Sequence, residues 1–117
     1  MSEYITIKEN RDFTRIYKRG KSFVSPALVT YINKNRLNNL RYGITTGKKI
    51  GNAVKRTRAR RVIRAAYYEL YSELKPGYDF VFVARGKTPF VKSQTVLAAM
   101  RQHMKAAGIL HNRRNQP

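Results

Sequence analysis

At 117 residues the chain has the size of one ordinary domain, long enough to bury a core and too short for two independent ones. Its apolar fraction of 42% is that of a globular protein, but 25 Lys and Arg against 6 Asp and Glu leave a net charge of +19. Such a field favours nucleic acid or an anionic surface and opposes compaction by self-repulsion. The absence of cysteine excludes disulfides and thiolate metal sites and fits a reducing compartment. No apolar run approaches the roughly 18 residues of a membrane span, and the polar start MSEYITIKEN has no signal-peptide core. A soluble, cytoplasmic protein with no membrane partner is expected.

The whole chain, 1–117, reads as one domain, in which 1–9 is an N-terminal arm with Ile5 and Ile7 available to pack. Asn10 offers an N-cap, Asp12 suits a first turn, and Phe13, Ile16 and Tyr17 fall at helical spacing before Gly20, which predicts a short helix over about 11–19. From Lys21 to Asn33 most residues are good strand formers, and Pro26 must mark an edge or break, so one broken strand or two are expected. After a polar turn over 33–39, Leu40, Tyr42 and Ile44 alternate with Arg41, Gly43 and Thr45 as in a half-buried strand. The simplest pairing of these two segments is an antiparallel hairpin.

A loop from Gly47 to Gly51 then leads to Asn52, the expected N-cap of a long helix on which Ala59, Ile63, Ala66, Tyr67, Leu70 and Leu74 share a face, with Arg58, Arg61 and Arg64 across from it or to its side. Pro76 and Gly77 suit a type II turn, and DFVFVAR at 79–85 is apolar on both faces, the mark of a central strand. Thr88 or Ser93 could cap a last helix carrying Val96, Leu97, Met100 and Met104 up to Gly108, and 109–117 reads as a frayed basic tail. The expected architecture is a single-domain α+β sandwich in the order α-β-β-β-α-β-α, with helices against one sheet.

Charge is concentrated at one place. Between Asp12 and Glu69 there are fifteen cations and no carboxylate, and eight of them (Lys48, Lys49, Lys55, Arg56, Arg58, Arg60, Arg61, Arg64) lie within the seventeen residues from Lys48 to Arg64. Cations in the first turns of a helix oppose its dipole by a few tenths to about 1 kcal/mol each. A phosphate backbone would reverse that sign, since helix-end N–H groups and guanidinium forks then bind one anion. A second candidate is aromatic: Phe13, Tyr17 and Tyr31 lie on elements that can face one another beside Arg15, Lys18 and Arg19, as stacking on a single strand requires. Spacing alone favours a core role for Phe13 and leaves Tyr17 and Tyr31 even between core and surface. The six carboxylates form no acidic cluster, His103 and His111 read as isolated surface residues, and no metal site or phosphate loop is found.

The run KKIGNAVKRTRARRVIR at 48–64, preceded by LRYGITTG, followed by DFVFVAR and introduced by NRDFTRIYKRGKSF, resembles the protein subunit of bacterial ribonuclease P over about residues 5–107. The pattern G-N-A-V-x-R-x-R-x-[KR]-R-x-x-R is present from Gly51 to Arg64. That resemblance implies the ribosomal-protein-type α+β sandwich with a left-handed β-α-β crossover. It also implies a ribonucleoprotein whose RNA subunit removes the 5′ leader of precursor tRNA by Mg²⁺-dependent hydrolysis, the protein alone not being catalytic. On this resemblance Lys48, Lys49, Asn52, Lys55, Arg56, Thr57, Arg58, Arg60, Arg61 and Arg64 are expected to contact the catalytic RNA. Phe13, Tyr17, Lys18, Ser22 and Tyr31 are expected to hold the leader of precursor tRNA; Mg²⁺ is expected mainly on RNA, and no protein partner is implied. The usual central Asn of the signature is Thr57 here, Thr45-Thr46-Gly47 stands where many relatives have S-x-S, and Ser25-Pro26 replaces a frequent Asn-Arg pair. The alternatives are a structural RNA-binding protein of ribosomal type and a sequence-tolerant DNA-binding protein.

Overall fold

The strand Tyr78–Ala84 (β5) lies at the centre of the protein, and its residues Phe80, Val81 and Phe82 are wholly buried, as a segment apolar on both faces requires. The computed structural model describes residues 4–111. In chain order the remaining elements are β1 (Ile5–Thr6), α1 (Asn10–Arg19), β2 (Lys21–Ser25), β3 (Leu28–Lys34), β4 (Leu40–Thr45), α2 (Ala53–Leu70) and α3 (Ser93–Ala106), with α2 preceding β5 and α3 following it. The sheet order is β1-β4-β5-β3-β2.

Two of these pairings depart from expectation. β3 and β4 are not a hairpin: β5 inserts between them, antiparallel to β3 and parallel to β4, so the chain crosses from β4 to β5 through α2. The insertion buries the most apolar strand on both flanks, where a β3–β4 hairpin would leave it at an edge. The N-terminal arm also contributes a fifth strand, β1, which pairs parallel to β4; it buries Ile7, leaves Ile5 exposed, and stacks the Tyr4 ring on Tyr68 of α2 at 3.8 Å. β2 and β3, by contrast, are the two expected strands, broken at Pro26.

The two sheet faces are covered unequally. On one, α2 and α3 seal the main core with Ala59, Val62, Ile63, Ala66, Tyr67 and Leu70 from α2 and Val96, Met100 and Met104 from α3. On the other, the single short α1 buries Ile16 and part of Phe13 against Val81 and Ile7. That leaves the end of this face bare.

Several end signals fall elsewhere than expected. Glu9, not Asn10, occupies the N-cap of α1 and makes no side-chain cap bond, and Gly20 ends the helix in an extended conformation. α2 stops at Leu70, so Leu74 reaches the core from the segment beyond a 3-10 turn. Neither Thr88 nor Ser93 caps α3. Thr88 is buried, accepting from the Arg85 N–H at 2.8 Å and donating to the Ala27 carbonyl at 2.7 Å, so it ties the β5–α3 connection to the β2–β3 turn.

Residues 109–111 are packed rather than frayed: Ile109 is buried, Leu110 bridges Leu74, and the His111 N–H reaches the Glu73 carbonyl at 2.8 Å. The rest of the expected tail, 112–117, lies outside the described residues. His103 is not a surface residue. It is 5% exposed on the apolar stripe of α3, with its ring nitrogens 2.8 Å from the hydroxyls of Ser25 and Thr30. Burial lowers its pKa and keeps it neutral.

Candidate nucleic-acid interface

A 3-10 turn over Lys48–Ile50 displays two exposed lysines, Lys48 and Lys49, and buries Ile50. Gly51 follows at φ 131°, a conformation that side chains rarely adopt, and redirects the chain so that Asn52 can cap α2. The Asn52 side-chain oxygen accepts the Lys55 N–H at 3.0 Å, as its position predicted. No acidic residue occupies the first turn of α2.

The cations of the signature fall into two groups. Arg58 donates to the Pro89 carbonyl at 2.6 Å, Arg60 donates to the Thr46 hydroxyl at 2.8 Å, and the Lys55 ammonium sits 5.4 Å above the exposed Phe90 ring. These three are partly engaged with the protein's own loops. Arg56, Arg61 and Arg64 have no hydrogen-bonding or ionic partner among the described residues and keep their forks for an external acceptor. Thr57 is exposed between two shallow recesses, one shared with Arg56 and Arg60, the other with Arg58 and Arg61. The structure therefore brings Arg56, Thr57 and Arg60 together at one recess and Thr57, Arg58 and Arg61 at the next, while Lys48 and Lys49 precede α2 and Arg64 lies farther along it. Thr46, already marked as a departure from the family pattern, and Pro89 and Phe90, which the sequence did not single out, contact Arg60, Arg58 and Lys55.

The aromatic candidates also meet. Tyr17 lies 4.9 Å from Tyr31 and 6.5 Å from Phe13, between ring centroids. Phe13 is half-buried because its ring lies on Gly43, whose missing side chain makes the room: a Cβ there would stand 2.6 Å from the ring. Tyr17 stays 40% exposed and Tyr31 half-buried, so both present ring surface to solvent while Phe13 braces them from the core side. Ser22 is the cross-strand neighbour of Tyr31, and Lys18 is exposed on α1.

Strand register extends this patch into a groove. One row of the sheet runs Gly43, Val81, Tyr31, Ser22 and lies partly under α1. The next row runs Thr45, Val83, Val29, Val24, and Val24 is 64% exposed. Period-two alternation in KSFVS turns Val24 away from Phe23, and the short α1 leaves it facing solvent. The row ends at Thr45, the residue before the Thr46 that receives Arg60 from the other face of the sheet.

Four carboxylates are engaged elsewhere. Asp79 is buried and held by Arg41 through two bonds of 2.9 and 2.6 Å and by Asn35 at 2.7 Å; Asp12 pairs with Arg15, Glu9 with Arg11 and Glu73 with Arg101. Among the described residues no three acidic, histidine or cysteine side chains converge on a point that could hold a metal. Among the described residues no helix is long and apolar enough to cross a membrane.

The molecule is thus a small α+β sandwich with a cationic helix on one face of its sheet and an aromatic groove on the other. The chain belongs to the ribonuclease P protein family, whose model, Ribonuclease P, matches residues 1–108. It is 42% identical to the ribonuclease P protein component of Clostridium beijerinckii over 113 residues, covering 91% of this chain and 90% of that protein. Against the Oceanobacillus iheyensis protein component it is 36% identical over 117 residues, covering 99% and 97%. The solved RNase P protein of Staphylococcus aureus superimposes with a TM-score of 0.80 at 30% identity, covering 93% of this chain and all of that one. That of Thermotoga maritima gives 0.76 at 28% identity, covering 90% and 97%.

Proposed function

We propose that this chain is the RNA-docking and substrate-positioning subunit of a ribonuclease P ribonucleoprotein that removes the 5′ leader of precursor tRNA. The RNA carries the chemistry, with Mg²⁺ held mainly by RNA oxygens. The protein uses Arg56, Arg61 and Arg64 as its primary RNA contacts, with Lys48, Lys49, Lys55 and Thr57 beside them. Arg58 and Arg60 act partly by bracing the loops at Pro89 and Thr46. The leader strand lies in the groove, its bases on Tyr17 and Tyr31 and its phosphates near Lys18, with Phe13 supporting the rings from beneath and Ser22 at the floor.

The observation that carries this reading is the set of three guanidinium groups along α2 with no partner among the described residues, on a helix without acid in its first turn, together with an open aromatic groove on the other face of the sheet. Each alone is a surface property; together they suit two RNA segments bound at once, one by phosphate contact and one by stacking. The test is the salt dependence of affinity for the catalytic RNA. Arg56→Ala/Arg61→Ala should lower the slope of log K against log salt by about 1 to 2, and Tyr17→Ala should leave that slope alone while reducing preference for leader-bearing tRNA. An unchanged slope in the double variant would remove α2 from the interface.

A further inference from the structure

A second basic site lies at the opposite end of the sheet from the start of α2. Strand β4 begins at Leu40, paired with Tyr78, and ends at Thr45 beside the Arg60 contact, so the two ends are separated by roughly 17 Å of strand. At the Tyr78 end, on the face covered by α2 and α3, a recess of about 420 Å³ opens between β2 and the C-terminal end of α3. Its floor is apolar and aromatic, formed by Phe23, Ile32 and Tyr78, and its rim carries Arg19, Lys21 and Lys34. The lining contains no carboxylate, and none of the three cations belongs to an ion pair among the described residues.

This cluster is not explained by the α2 surface or by the groove. Phe23 faces away from the groove, against the His103 ring, and no residue of the signature lines the recess. Three cations round an apolar hollow repel one another without a fold-internal partner, an arrangement that an anion with a flat apolar body reverses. The volume lies in the range of small-ligand pockets, and aromatic floor with cationic rim is the chemistry that holds a base and its phosphate. Arg19 and Lys34 also border an adjoining recess that includes Arg36 and Arg15, the latter paired with Asp12, so a strand leaving the first recess would meet Arg36, which is unpaired among the described residues. The one carboxylate there, Asp79, is already saturated by Arg41 and Asn35.

We propose that this recess binds one unpaired nucleotide of an RNA strand, its base against Phe23 and Tyr78 and its phosphate held by Arg19, Lys21 and Lys34. The site is argued from its own chemistry and stands or falls separately from RNA docking by α2. Amide NMR of the full chain, titrated with adenosine 5′-monophosphate, should show saturable shifts at Lys21, Phe23, Lys34, Tyr78 and Ala107. Lys21→Glu/Lys34→Glu should weaken these by at least about tenfold. Ala106→Trp, which places a ring at the mouth from an exposed position, should abolish them with the rest of the spectrum intact, and Arg56→Ala/Arg61→Ala should leave them unchanged. A hexaadenylate strand should bind the recess at least about tenfold more tightly than the mononucleotide, because its neighbouring phosphates reach Arg36. Equal affinity for strand and mononucleotide would overturn the assignment in favour of a free nucleotide. Equal affinity for inorganic phosphate would overturn base recognition, and shifts that survive both recess variants would overturn the site.

Discussion

Gly43→Ala is a perturbation that should reach the groove without touching any residue exposed in it. A Cβ at Gly43 would stand 2.6 and 2.7 Å from two atoms of the Phe13 ring, whereas carbon atoms in good contact sit about 3.5–4.0 Å apart. The ring must therefore retreat by about 1 Å. It cannot do so freely, because Ile7, Ile16 and Val81 pack around it in the same cluster. Overpacking of this kind costs about 1–3 kcal/mol, which a domain of ordinary stability survives. The retreat is transmitted to Tyr17, 6.5 Å from Phe13, and from there to Tyr31, 4.9 Å further on. Urea unfolding should show the stability loss. Equilibrium binding should show reduced preference for precursor over mature tRNA, with affinity for the catalytic RNA unchanged. Wild-type stability would refute the packing, and a destabilised variant with undiminished leader preference would refute the role of the three rings.

Other perturbations test the frame that carries the two surfaces. Arg41→Ala leaves the buried Asp79 carboxylate with Asn35 alone, and urea unfolding should register a loss of about 3–5 kcal/mol. Tyr67→Phe removes a buried hydroxyl that has no hydrogen-bond partner among the described residues, and the same measurement should show a gain of up to about 1–3 kcal/mol. His103 is neutral in the fold with its pKa lowered by burial, so the unfolded chain takes up its proton first as pH falls. Stability from this group is complete above about pH 6.5 and declines below it. Thermal melts from pH 7.5 to 5.5 should show that decline, and His103→Gln should flatten it.

Legibility in the sequence followed the range of the interactions concerned. The cap at Asn52, the buried stripe of α2 and the two-sided burial of β5 rest on local patterning, and the structure reproduces each; β4 is a strand as expected, but Gly43 is buried beneath Phe13 and Ile44 only half-buried, so its alternation breaks down. Strand partners are non-local. The apolar run at 79–85 marked a central strand without saying which neighbours it separates, so β3 and β4 were paired when β5 divides them. β1, only two residues long, has no period to detect. His103 was legible after all: it falls three residues after Met100 and seven after Val96, on the stripe that α3 buries, and its polarity masked that position. At the interface, the arginine-rich pattern located the basic surface. Which guanidinium groups are free and which brace Pro89 and Thr46 depends on loops brought in from distant parts of the chain.

The most direct measurement is cleavage of precursor tRNA by the cognate catalytic RNA at low Mg²⁺, with and without this protein. The protein should stimulate cleavage strongly, and Arg56→Ala/Arg61→Ala should stimulate only at much higher protein concentration. No stimulation by the wild-type chain, or stimulation identical in the double variant, would contradict the assignment of α2 as the surface that docks the catalytic RNA.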